Sequence, residues 1–259
     1  MTTGMSLTPG LCSVTFRALS PERVLEVTRA SGLRSIEWGG DVHVPVGDLD
    51  TAARVRALSA DAGVEVASYG SYLAPGADDP SHLPDVLRTA SALGAPTVRV
   101  WAGRCGSADA DATARAAVVT GLRSAAQAAS AEGLDIALEF HRGTLTDTAG
   151  STARLLDEVG ASNVSTYWQP PVAASDADAI DGLATVLDRV SHVHVFSWDD
   201  EARRFALHAR AGLWQQVVEM LGSTGRRHHL HLEFVADDSP DQFATDAAFL
   251  RSLITRTGA

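Results

Sequence analysis

The sequence predicts an α/β fold, a single closed (β/α)8 barrel occupying residues 1 to 259 as one domain, and three observations carry that prediction. Short runs rich in Val, Ile, Leu and Phe alternate with longer segments of helical spacing, the pattern of parallel strands joined by helical crossovers. Eight such pairs can be counted in the chain, whose length is close to the about 250 residues of one barrel. Glycine closes several helical segments just ahead of the next strand, at Gly32, Gly63, Gly94, Gly133 and Gly160, where a left-handed residue satisfies the helix end. An open doubly wound sheet is the competing architecture, but no GxGxxG follows the first strand and no GxxxxGK[ST] occurs.

The strands read in order as LCSVTF (11–16), RSIEW (34–38), VEVASY (64–69), TVRVW (97–101), DIALEF (135–140), VSTYW (164–168), HVHVF (192–196) and HLHLEF (229–234). Each is a short apolar run of the length that a buried strand needs. Between them lie PERVLEVTRASG, DTAARVRALSADAG, LPDVLRTASALG and the long DADATARAAVVTGLRSAAQAASAEG, rich in Ala, Leu and Arg at helical spacing, and the later segments keep the same beat.

Composition excludes several classes of function. Hydrophobic residues make up 45% and charged residues 20% of the 259, so a sizeable core can form without staples. The net charge of −11, with arginines scattered and no basic stripe, disfavours a nucleic-acid partner. Cys12 and Cys105 lie far apart and form no CxxC pair, and they read as small half-buried thiols. The N-terminus lacks a signal-like apolar run and no stretch approaches the roughly 18 apolar residues of a membrane span, so a cytoplasmic protein with no membrane partner is expected.

Barrels of this kind gather their chemistry at the C-terminal ends of the strands. Those ends carry Phe16 and Arg17, Glu37 and Trp38, Tyr69, Arg99 and Trp101, Glu139 and His141, Trp168 and Gln169, His194 with Phe196 and Trp198, and Glu233. A buried carboxylate is costly unless it is paired, protonated or bound to a cation. A lone strand-end Glu is usually solvated, and a lone strand His is usually a hydrogen-bonded core residue. Glu139, Gln169, His194 and Glu233 on four successive strand ends are harder to explain that way. Together they offer carboxylate, amide and imidazole donors to one divalent ion. His192, His228, His229 and His231 read as structural, whereas His43 and His141 fall in mouth loops where they could contact substrate. Trp38, Trp101, Trp168 and Trp198 lie at or beside strand ends and would build an aromatic wall for a sugar ring, while Trp214 reads as packing.

The segments IEWGGDVHVP (36–45), LEFH (138–141), YWQP (167–170), HVHVF (192–196) and LEF (232–234) resemble the xylose isomerase-like TIM-barrel superfamily, in its sugar phosphate isomerase/epimerase branch. The resemblance implies a divalent metal, Mn first and Zn, Co or Mg next, held by Glu139, Gln169, His194 and Glu233, with the two glutamates relaying a proton. Gln169 stands where the family has Asp, and Val172 where epimerases often have His. Arg204 resembles an arginine that other members bring to the substrate from the loop after the His-bearing strand. The endonuclease IV type of relative needs a DxxH pair that is missing around Gln169, so the nuclease reading is rejected.

The expected function is a metal-dependent isomerase or epimerase acting on a ketose or keto-sugar through an enediolate. Glu139 and Glu233 are the expected catalytic pair. Glu37, Trp38, His43, Tyr69, Trp101, His141, Trp168, Trp198 and Arg204 are the expected substrate contacts. The expected partner is a small carbohydrate or polyol-like molecule, and a homo-oligomer is open. Two alternatives compete: a β-eliminating lyase or dehydratase on the same scaffold, and a metal-free sugar-binding or partner subunit in which Gln169 has cost the site its ion. Gln169 could also hydrogen-bond substrate directly, held rigid by Pro170 and Pro171.

Overall fold

The computed structural model describes residues 7–257. Eight parallel strands close into a barrel: β1 (Leu7–Cys12), β2 (Ser35–Gly39), β3 (Glu65–Gly70), β4 (Thr97–Val100), β5 (Asp135–Leu138), β6 (Val164–Trp168), β7 (Val190–Val195) and, after a short antiparallel hairpin of β8 (Ser197–Trp198) and β9 (Arg204–Phe205), β10 (His228–Leu232). Closure comes from β10, which pairs with both β7 and β1. The hairpin was not foreseen in the sequence.

Around the barrel run α1 (Pro21–Ala30), α2 (Leu49–Asp61), α3 (Leu83–Leu93), α4 (Ala112–Ala131), α5 (Ala149–Val159), α6 (Asp176–Val186), α7 (Ala211–Ser223) and α8 (Pro240–Thr257). Ser20, Asp48, Asp111, Thr148 and Ser175 cap five of them, each side chain accepting a backbone N–H of the first turn. All five glycines read as helix stops have positive φ. Among the described residues no helix is long and apolar enough to cross a membrane.

The main apolar core lies between the barrel and its helices, built from outward strand residues such as Leu11, Ile36, Trp38, Val98, Leu138, Trp168, Val193 and Leu232 packed on helix residues such as Val55, Leu122, Leu183, Trp214 and Leu250. The barrel interior is different. Bulky branched residues such as Val, Ile and Leu usually fill it, but here it holds Ser35, Glu37, Ser68, Arg99, Tyr167, His192, His194 and His231, all buried. Gly10 makes room for part of this interior, because a Cβ there would lie 2.4 Å from the Ser35 carbonyl oxygen and 2.6 Å from the His231 ring.

One boundary differs from expectation in a way that matters. The first strand ends at Cys12, and the residues read as its second half, Ser13–Phe16, form a 3-10 turn. Phe16 and Arg17 are therefore not strand-end residues. The side chain that β1 delivers to the mouth is that of Cys12, set beside Glu37 by the register of β1 against β2.

Candidate active site

The floor of the mouth is a buried ion pair. Glu37, from β2, is fully buried and both its oxygens are occupied. Oε1 accepts from Arg99 Nε at 2.9 Å and from the Cys12 thiol at 3.3 Å. Oε2 accepts from the Tyr167 hydroxyl at 2.5 Å and from Ser68 Oγ at 3.1 Å. Burial pushes the Glu37 pKa up, but Arg99 and His194 outweigh it and hold the carboxyl well below the usual range. A Cβ at residue 70 would sit 2.7 Å from Arg99 Nη2 and 2.8 Å from Glu37 Oε1, so the pair depends on Gly70.

Arg99 also reaches Glu139, just past the end of β5, through Nη1. The same carboxylate oxygen accepts Trp101 Nε1 at 2.5 Å. Glu139 thus has one oxygen committed to two N–H donors, which fixes its direction.

Above the floor, His194 from β7 gathers the remaining groups. Its Nδ1 lies 3.1 Å from Gln169 Oε1 and 3.4 Å from Glu233 Oε2. Its Nε2 faces Glu37 Oε2 at 3.5 Å, an ion-pair contact without hydrogen-bond geometry. Burial alone would lower the His194 pKa, yet the carboxylates of Glu233 and Glu37 outweigh it and raise it to about 9. Burial pushes Glu233 up to about 7, with Glu139 adding to the rise and His194 and Arg99 opposing it. The charge of Glu139 also raises both groups.

These donors suit a divalent ion. Ligands held about 2.1 Å from a metal are roughly 3.0 to 3.4 Å from one another in octahedral or tetrahedral arrangements, and the separations from His194 Nδ1 to Gln169 and Glu233 fall in that range. Cys12, His194 and Glu233 also have ligand atoms within 4.8 Å of one another. Burial, then the charge of Glu37, keeps the Cys12 pKa well above its ordinary value, so the group is a thiol.

Two half-buried aromatic groups flank the mouth. On one side Trp101 stacks on His141 with ring centroids 4.6 Å apart and meets Tyr72 edge-on. On the other, Trp198 stacks on Phe196 at 4.3 Å, and the Arg204 guanidinium lies 4.8 Å from the Phe234 ring while pairing with Asp238 at 2.5 Å. Phe234 has φ of 48°, a left-handed conformation that a bulky residue rarely adopts.

Several expected substrate contacts do not reach this space. Trp38 is fully buried outside the barrel, where its Nε1 donates to Ser59 of α2 at 3.2 Å. Trp168 packs edge-on against Trp214 of α7, and the Tyr69 hydroxyl donates to the Val44 carbonyl at 2.8 Å. A four-tryptophan wall is therefore not formed, and Trp101 and Trp198 are the two of the four that flank the mouth. The cause is strand alternation: Trp38 follows inward Glu37, Trp168 lies between inward Tyr167 and Gln169, and Tyr69 lies between Ser68 and Gly70, so neighbours point to opposite faces.

His43 is corrected too, because its ring nitrogens are engaged by Ser13 Oγ at 3.0 Å and the Leu19 carbonyl at 3.1 Å. Glu37 lies in the floor, below direct substrate reach. Of the expected metal set, Gln169 and Glu233 touch His194, whereas the Glu139 carboxylate, just past β5, is held by Arg99 and Trp101 and is not among the groups within 4.8 Å of one another. Sequence reasoning missed Cys12, Ser68, Tyr72, Arg99 and Tyr167 as parts of the site. The available signal was Arg99 within the apolar run TVRVW, a buried cation that requires acidic partners.

The family model described as "Xylose isomerase-like TIM barrel" matches residues 25 to 253. A 3-dehydroshikimate dehydratase of Bacillus anthracis is 26% identical over 204 residues, 71% of this chain and 69% of that protein. A xylose isomerase-like TIM barrel protein from Mycobacterium smegmatis, solved in complex with magnesium, is 16% identical with a TM-score of 0.74, covering 98% of this chain and 97% of that one. The apo 3-keto-D-glucoside 4-epimerase of E. coli is 17% identical with a TM-score of 0.72, covering 95% and 99%.

Proposed function

The chain belongs to the xylose isomerase-like TIM barrel family, and from that premise we propose a divalent-metal-assisted isomerase or epimerase of a ketose or keto-sugar. The observation that carries this reading is the meeting of Gln169 and Glu233 on one nitrogen of His194. Gln169, His194 and Glu233, with Glu139, would hold the ion, Mn first among Mn, Zn, Co and Mg. When bound, it supplies polarisation of the substrate carbonyl and stabilises the negative charge left when a neighbouring C–H proton departs.

The protein groups move that proton. Glu139, aimed by Arg99 and Trp101, removes it, and Glu233 returns one from the other side. Return to the same carbon gives an epimer and return to its neighbour gives an isomer. The aromatic pair of Trp101 and His141 offers an apolar face to a sugar ring. The sequence contains no lysine, so a lysine Schiff base takes no part in activating the carbonyl.

A second reading has its own support. The match to a 3-dehydroshikimate dehydratase favours elimination, in which the same proton abstraction is followed by loss of a β-hydroxyl as water. One experiment separates the two. Mn-loaded protein is incubated in deuterated water with a panel of ketoses, keto-sugars and 3-dehydroshikimate, and followed by NMR and ultraviolet absorbance. Deuterium entering a recovered ketose or its epimer, and lost in Glu139→Gln, supports the leading reading. Conversion of 3-dehydroshikimate to a dehydrated product without exchange into any ketose would replace it with the lyase.

A further inference from the structure

We infer that Glu37 is a positioning residue: it fixes the ring of His194 so that Nδ1, and not Nε2, is presented to Gln169 and Glu233. The inference rests on the reading of His194 as a metal ligand and extends it to a carboxylate that touches neither substrate nor ion.

The geometry has three parts. His194 is fully buried, and its Nε2 makes no hydrogen bond; Glu37 Oε2 at 3.5 Å is the carboxylate facing that atom. Its other nitrogen, Nδ1, is the one shared by Gln169 and Glu233. A ligating imidazole needs a free lone pair on the metal side and places its proton on the opposite nitrogen, where a carboxylate acceptor fixes the ring. Glu37 lies on that opposite side.

Glu37 is itself locked. Arg99, Cys12, Tyr167 and Ser68 donate to it from β4, β1, β6 and β3, so four strands determine where its oxygens point. The absence of a side chain at Gly70 leaves the space in which the carboxylate meets Arg99. Through Arg99 the same group also reaches Glu139. A shift of Glu37 would therefore move both a proposed metal ligand and the proposed base.

Glu37→Gln tests this with little change in size. A glutamine would turn an N–H donor toward a ring nitrogen that now faces an acceptor, favouring a ring whose proton sits on Nδ1 and whose lone pair points away from the metal site. Mn binding is measured by calorimetry on the full chain. The His194 Nε2–H proton is followed by ¹H–¹⁵N NMR in metal-free protein and assigned by its loss in His194→Gln. Mn affinity is expected to fall about 10- to 100-fold in Glu37→Gln. The Nε2–H signal, slow to exchange in the wild type because the ring is fully buried beside the Glu37 carboxylate, is expected to disappear or move upfield.

Unchanged affinity together with an unchanged signal overturns the inference. If the wild type binds no Mn, the metal reading fails, and the metal-free signal alone decides whether Glu37 holds the ring. Should Glu37→Gln not fold, Tyr167→Phe removes one donor that aims Glu37 and is expected to weaken Mn binding several-fold and shift the same signal. No change in either would again overturn it.

Discussion

Acidification is expected to unfold the metal-free protein because of histidines that the reaction does not use. Tyr167, His192 and His229 form a stack inside the barrel, with centroid separations of 4.6 and 5.0 Å, and Ser35 Oγ bridges His229 and His231 at 3.0 Å to each. Burial holds these rings neutral, with pKa values lowered to about 3 for His192, His229 and His231 and to about 4 for His228. Each lies below the unfolded value of roughly 6.5. Their contribution is thus complete above pH 6.5 and is lost as pH falls toward the folded values.

Two groups act in the opposite sense. Glu233 and His194 have raised values, about 7 and about 9, and hold protons that the unfolded chain releases more readily. Their contribution is complete at low pH and is lost as pH rises. Between pH 7 and 5 the four neutral histidines lose about 2 kcal/mol each while Glu233 and His194 return about 3 together, leaving a loss of about 5 kcal/mol. That is comparable with the whole stability of many domains. Urea unfolding in the presence of chelator at pH 7, 6 and 5, followed by circular dichroism, measures it. A stability that is flat or rises toward pH 5 would refute the buried neutral cluster.

Three further outcomes follow from the site. Arg99→Met removes the cation shared by Glu37 and Glu139 and is expected to cost about 3 to 5 kcal/mol in denaturant unfolding at pH 7, the penalty of stranding a buried charge. A thiol reagent is expected to label one cysteine of the native protein quickly, the partly exposed Cys105, and to reach Cys12 only after denaturation; rapid labelling of both would contradict the burial of Cys12. Gln169→Asp is expected to raise Mn affinity at least about tenfold by calorimetry, since a carboxylate replaces a neutral amide oxygen, and an unchanged affinity would remove residue 169 from the ligand set.

The barrel was legible because alternation and glycine stops are local signals, and Gly94 and Gly160 close α3 and α5 where the sequence placed them. Glu139, His194 and Glu233 stand out in the sequence as candidate ligands because they are polar groups within apolar runs. Inward and outward faces were harder to assign. The pairs Glu37 and Trp38, and Trp168 and Gln169, were all placed in the mouth, although adjacent strand residues must face opposite ways. Cys12 was missed because β1 was extended through Phe16, which hid its last inward residue. His192, His228, His229 and His231, read from the sequence as structural, are held by ring stacking and by hydrogen bonds to hydroxyls. Their stacking with Tyr167 depends on three strands meeting across the barrel, and no segment of one strand records that.

The most direct test of the metal-assisted reading is stoichiometric binding of Mn to chelator-stripped protein, by calorimetry and elemental analysis, in the wild type and in His194→Ala and Glu233→Ala. The account predicts one ion per chain in the wild type and a loss of binding in both variants. Wild-type protein that takes up no divalent ion, or variants that bind it equally well, would contradict the account.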